Sequence, residues 1–87
     1  MKIKKDYILR EVAHQYVVVP IGEAALNFNG VISLSSSGAL LWKLLQNDSE
    51  IDDLVRLMIN TYQVTEDVAR NDVSAFIKKM QDNGLIE

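Results

Sequence analysis

The sequence predicts one α+β domain of winged-helix character: a three-stranded antiparallel sheet, with an extra hairpin arm, followed by three α-helices. Three observations carry this. β-Branched and aromatic residues dominate from Tyr7 to Leu34, the kind that fit a pleated, half-buried surface. From Ser35 onward the apolar residues recur at helical spacing. With 87 residues the chain has room for one core only, residues 1–87, so the two halves must bury their apolar faces against each other.

Tyr7–Ala13 is the first predicted strand, and His14-Gln15 a tight connection. Tyr16–Pro20 is the second; Pro20 ends it or marks an edge, because proline cannot donate to a ladder. Ile21-Gly22-Glu23 reads as a turn. Ala25–Phe28 and Val31–Leu34 read as two arms of a hairpin around Asn29-Gly30. Asn-Gly suits a type I′ turn, which needs φ > 0 at both central residues. Leu26, Phe28, Ile32 and Leu34 alternate with Asn27 and Ser33, the period of a strand.

The first predicted helix runs from about Ser37 to Gln46, capped by one of Ser35 to Ser37, with Leu40, Leu41, Leu44 and Leu45 on one face and Trp42 beside it. The second starts after Ser49, which with Asp52 approximates a capping box, and carries Ile51, Leu54, Val55, Met58 and Tyr62 as its stripe. The third follows Thr65 as cap, with Glu66 and Asp67 at the positive end of the dipole and Lys78 and Lys79 near the other. Its stripe is Ala69, Val73, Phe76, Ile77 and Met80; Gly84 suits the C′ position, and Leu85-Ile86 fold back onto the core.

Composition narrows the function. There is no cysteine, which excludes disulfides and thiolate zinc sites and fits a reducing compartment. The longest apolar stretch, Tyr16–Ile21, is far short of the ~20 residues that span a bilayer. No apolar signal core follows the basic N-terminus. The expectation is a soluble, cytoplasmic protein without membrane contact. Net charge is −3 and the nine Lys and Arg residues are dispersed, which opposes nucleic-acid binding.

Catalytic patterns are missing. His14 stands alone at a strand junction. Ser33, Ser35, Ser36 and Ser37 are cap and turn residues with no base nearby in sequence. The glycines match no phosphate loop. Asp52 and Asp53 lie about 100° apart on a helix and form a solvated face. The chain is therefore read as a binding module, with no catalytic residue, metal or cofactor.

The segments Leu9-Arg10-Glu11-Val12, Tyr16-Val17-Val18-Val19-Pro20, Phe28-Asn29-Gly30-Val31-Ile32-Ser33-Leu34 and Ser37-Gly38-Ala39-Leu40-Leu41-Trp42-Lys43-Leu44-Leu45 resemble PqqD-like proteins, the peptide-binding domains called RiPP recognition elements. The last helix, from Asp72-Val73-Ser74-Ala75-Phe76-Ile77 to Gly84-Leu85-Ile86, fits too, so the resemblance covers Tyr7 to Ile86. The strand–Ser–x–Gly–helix–Trp junction is the most specific part. Relative to the PqqD of quinone-cofactor biosynthesis the chain carries an extra hairpin arm, Glu23–Phe28, which favours a stand-alone relative.

The resemblance implies a three-stranded sheet on three helices that binds the leader segment of a ribosomally made precursor peptide and presents it to a modifying enzyme, such as a radical SAM maturase. It implies that the leader adds as a strand to Val31, Ile32, Ser33 and Leu34 and packs on Asp72, Val73, Ala75, Phe76 and Lys79 of the third helix. The residues themselves also permit a plainer reading, with Ile32, Leu34, Trp42, Val73 and Phe76 as core and Lys79 solvated. An uncharged edge without proline or glycine suits strand addition either way, since the main chain does the pairing. The alternative functions are a winged-helix DNA-binding regulator and a homodimer formed through the edge strand or a strand swap.

Overall fold

A computed structural model of the chain describes residues 1–27 and 30–87. β1 (Tyr7–Val12) and β2 (Gln15–Pro20) form an antiparallel hairpin in which Val12 opposes Gln15. Only Ala13 and His14 make the turn, with φ of 51° and 65°. Two positive φ values match the type I′ geometry that suits strand twist. Without glycine, that conformation costs roughly 1–2 kcal/mol per residue. A short strand further on, Ile32–Leu34, pairs antiparallel with the other side of β2, giving a three-stranded sheet with β2 in the middle.

The expected hairpin arm is corrected. Ala24–Asn27 is a one-turn helix, α1, and not a strand. Alanine and leucine are among the best helix formers, and Ala25 and Leu26 donate back to the carbonyls of Gly22 and Glu23 at 3.2 and 3.1 Å. The period-2 pattern buries nothing there, as Leu26 is 83% exposed. Phe28 and Asn29 lie outside the described residues, so the Asn29-Gly30 turn is described only at Gly30, where φ is 91°. The third strand, β3, is therefore Ile32–Leu34, and Val31 stands just before it, exposed.

α2 spans Ser36–Leu44, starting one residue before and ending two residues before the expected Ser37–Gln46, and its cap is Ser35, whose Oγ accepts from Gly38 N–H at 3.1 Å. α3 spans Ile51–Tyr62. Its capping box uses Glu50 and Asp53 in place of Ser49 and Asp52. Ser49 is buried, and its hydroxyl serves the preceding loop by donating to the Asn47 carbonyl at 3.0 Å. Asp53 Oδ2 accepts from Glu50 N–H at 2.9 Å; that bond, with the Arg56 guanidinium beside it, holds the Asp53 carboxyl below its ordinary range. α4 spans Glu66–Asp82, with Thr65 Oγ1 accepting from Val68 N–H as expected. It closes in a Schellman motif: Gly84 has φ of 71°, and the N–H groups of Leu85 and Gly84 bond to the carbonyls of Met80 and Gln81.

The sheet contributes Val18, Ile32 and Leu34 to the core, and α2 contributes Leu41 and Trp42. Leu54, Val55 and Met58 enter from α3, and Ala69, Val73, Phe76, Ile77 and Met80 from α4. Ile3 bridges Ile86, so the start of the chain clamps its end against the helices. Among the described residues no helix is long and apolar enough to cross a membrane.

Candidate functional site

Register sets which main-chain groups face outward on β3, one of the two edge strands of the sheet. In a two-residue hairpin the residues flanking the turn, here Val12 and Gln15, exchange main-chain bonds, and bonded pairs alternate along the ladder. Arg10 and Val17 are then also a bonded pair, and Val17 has spent its groups on β1. Tyr16 and Val18 face the other way and bond Leu34 and Ile32. Ser33, opposite Val17, is left with its N–H and C=O pointing out of the sheet. A direct contact agrees: the Ser33 carbonyl accepts from Lys79 Nζ of α4 at 2.7 Å. The side chains alternate in step, with Ile32 and Leu34 buried and Ser33 exposed.

A hollow of about 270 Å³ lies between this edge and α4. From α4 it is lined by Asp72, Ala75, Phe76 and Lys79, spaced i, i+3, i+4 and i+7 and so on one helix face. From the strand-to-helix junction come Leu34, Ser35, Ser37, Gly38 and Leu41. Gly38 lets the first turn of α2 lie close, since a Cβ there would stand 3.4 Å from Leu34 Cβ. A second hollow, of about 370 Å³, shares Ser35, Ser37 and Asp72 with the first and continues to Met58, Tyr62 and Val64. The two form a trough that passes the end of β3. Its walls are apolar at Leu34, Leu41, Ala75 and Phe76, with a carboxylate at Asp72 and an ammonium at Lys79.

Of the residues singled out in the sequence, Leu34, Asp72, Ala75, Phe76 and Lys79 meet around one hollow. Ser33 presents its main chain beside it. Ile32 is buried, Val73 lies wholly in the core, and Val31 is exposed ahead of the strand. The sequence reading missed Ser35, Ser37, Gly38 and Leu41 as lining; their place directly after β3 was the available signal. Among the described residues no group of three or more His, Cys, Asp or Glu could hold a metal ion.

Two solved structures share this fold. One is TbiB1 in complex with the TbiA(beta) leader peptide, 18% identical with a TM-score of 0.77, the match covering 100% of this chain and 95% of that one. The other is lasso peptide synthetase B1 complexed with the leader peptide, 15% identical with a TM-score of 0.73, covering 97% and 93%. At such identities the likeness is one of fold. No curated protein matches the sequence. The family described as Coenzyme PQQ synthesis protein D (PqqD) matches residues 15–86, from β2 through the tail after α4. That span holds every element that builds the trough, and the chain belongs to the PqqD family.

Proposed function

We propose that the protein is a non-catalytic binder of the leader segment of a ribosomally synthesised precursor peptide. It takes the leader as a fourth strand on β3, beside α4, and presents it to a modifying enzyme such as a radical SAM maturase. The observation that carries this reading is the open edge at Ser33 with an apolar hollow against it. Both structural relatives were solved with leader peptides bound. Such work belongs in the cytoplasm, where precursor peptides are made.

The energetics are adequate. Each main-chain bond gained contributes a net 0.5–1.5 kcal/mol, roughly, and each apolar side chain buried in the hollow about 1.5–3 kcal/mol. Ordering an extended peptide offsets several kcal/mol of this, leaving dissociation constants on the order of nanomolar to micromolar. Nucleic acid fits less well, because the net charge is −3 and the nine Lys and Arg residues are dispersed along the chain, with Arg56, Arg70 and Lys78 each paired with a carboxylate, whereas phosphate binding calls for clustered cations.

The test is an amide-shift titration with a synthetic leader of the precursor peptide encoded beside the gene. Shifts should concentrate at residues 31–34 and at Asp72, Ala75, Phe76 and Lys79. Saturable binding that leaves both segments unmoved would overturn the assignment.

A further inference from the structure

α4 carries its charges in two groups. Away from the trough most are paired within the protein: Arg70 with Glu66 at 3.2 Å and Asp52 at 3.1 Å, and Lys78 with Asp82 at 3.0 Å, while Asp67 lies in the first turn at the positive end of the helix dipole. The two that line the trough have no such partner. Asp72 makes no ion pair or hydrogen bond among the described residues, and Lys79 rests on a neutral main-chain carbonyl. That carbonyl is the group an added strand must use. A peptide N–H that takes it competes with or shares the carbonyl with the Lys79 ammonium, which in either case stands beside the newcomer.

The direction of the charges follows from the packing. Lys79 stands at Ser33, while Asp72 stands with Ser35 and Ser37 past the end of the strand. α4 therefore passes β3 in the opposite sense. A strand added antiparallel, the more stable pairing, runs alongside α4 and meets Asp72 first and Lys79 later. Seven helical residues separate the two, about 10.5 Å along the axis. A strand covers that distance in about three residues, and same-face positions recur at even spacing, so the partners sit two or four residues apart.

We propose that the trough reads charge order: it selects extended peptide segments in which a basic side chain, opposite Asp72, precedes by two or four residues an acidic side chain, opposite Lys79. This rests on strand addition to β3 and adds a rule for which segments are taken. In the free protein Lys79 covers the edge carbonyl, and a peptide carboxylate compensates it where that contact is lost or shared. The same lysine thus blunts a sheet edge that would otherwise recruit any strand.

The experiment is a selection of random dodecapeptides by messenger-RNA display on the 87-residue chain, run in parallel on the double variant Asp72→Lys/Lys79→Glu. Both side chains are exposed, and circular dichroism verifies that the variant is folded. Peptides enriched on the parent should carry Lys or Arg two or four residues before Asp or Glu. Those enriched on the double variant should carry the reverse order, and Asp72→Asn/Lys79→Gln should enrich neither. Neutralising one charge of an enriched peptide should weaken it about two- to fivefold, the range of an exposed ion pair. Enriched peptides that shift the amides of β3 but show no charge order, or an order unchanged by the swap, would refute the charge rule and leave strand addition standing. If no enriched peptide shifts those amides, strand addition itself fails and the charge rule with it.

Discussion

Replacing Ser33 by proline should separate the stability of the sheet from its capacity to take another strand. The Ser33 N–H points away from β2, so its removal takes no bond from the existing ladder. Proline is tolerated at edge positions of this kind, and the residue before it, Ile32, is already extended, as a following proline requires. We expect the melting temperature of Ser33→Pro to stay within about 8 °C of the parent, the shift that roughly 1 kcal/mol produces in a domain of this size. An incoming peptide loses one main-chain bond, about 0.5–1.5 kcal/mol, so binding weakens about two- to twelvefold. Ser33→Ala keeps the N–H and should bind within about twofold of the parent. Leu34→Pro removes an N–H that bonds Tyr16 and empties a core position, so it should not fold. Fluorescence anisotropy with a labelled leader, beside thermal melts, reads all four proteins. A folded Ser33→Pro that binds as tightly as the parent, or a Ser33→Ala equally impaired, would refute the register argument.

Other outcomes follow from the same geometry. Replacing Ala13-His14 by Asn-Gly relieves two left-handed residues and should raise stability by about 1 kcal/mol or more, seen as a higher midpoint in urea. Ser35→Ala removes the α2 cap and should cost about 1 kcal/mol, or 4–8 °C in melting temperature. Leu45→Ala opens a cavity at a fully buried site and should cost about 2–5 kcal/mol in denaturant titration, a large part of the stability of so small a domain. The Asp53 carboxyl has its pKa lowered from 3.8 by the Glu50 N–H and by Arg56. Its contribution is therefore present above the unfolded-state value and lost as pH falls through the lower folded value. Asp53→Asn should flatten that part of the acid limb in a stability–pH profile; an unchanged limb would count against the capping role.

Local chemistry was legible wherever one residue type has one strong structural use. Ser35 and Thr65 cap through their hydroxyls and Gly84 through its positive φ; the stripe of α4 supplies the core as its spacing predicts, whereas in α3 only Leu54, Val55 and Met58 do so and Ile51 and Tyr62, at the helix ends, stay exposed. Turn chemistry misled where tertiary pairing decided the outcome. β3 pairs with β2, far off in sequence, and leaves Ala24–Asn27 to its helical propensity. The tight turn of the sheet falls on Ala13-His14, whose strain is carried by the six-residue ladder on either side and which no propensity scale would choose. Half of the site was readable in the same way. The face of Asp72, Ala75, Phe76 and Lys79 follows from helical period, but its approach to Ser33 and Gly38 is a product of packing. The Lys79 contact with a main-chain carbonyl leaves no trace in sequence, because any exposed lysine on that face would look the same.

The central claim is that β3 offers its outward main chain to a partner strand, and amide hydrogen exchange at Ser33, with and without bound leader peptide, tests it most directly. The account predicts that the Ser33 amide exchanges freely in the isolated protein and becomes strongly protected in the complex, while Ile32 and Leu34, already bonded to β2, change little. A Ser33 amide that exchanges equally fast in free and saturated protein would contradict it.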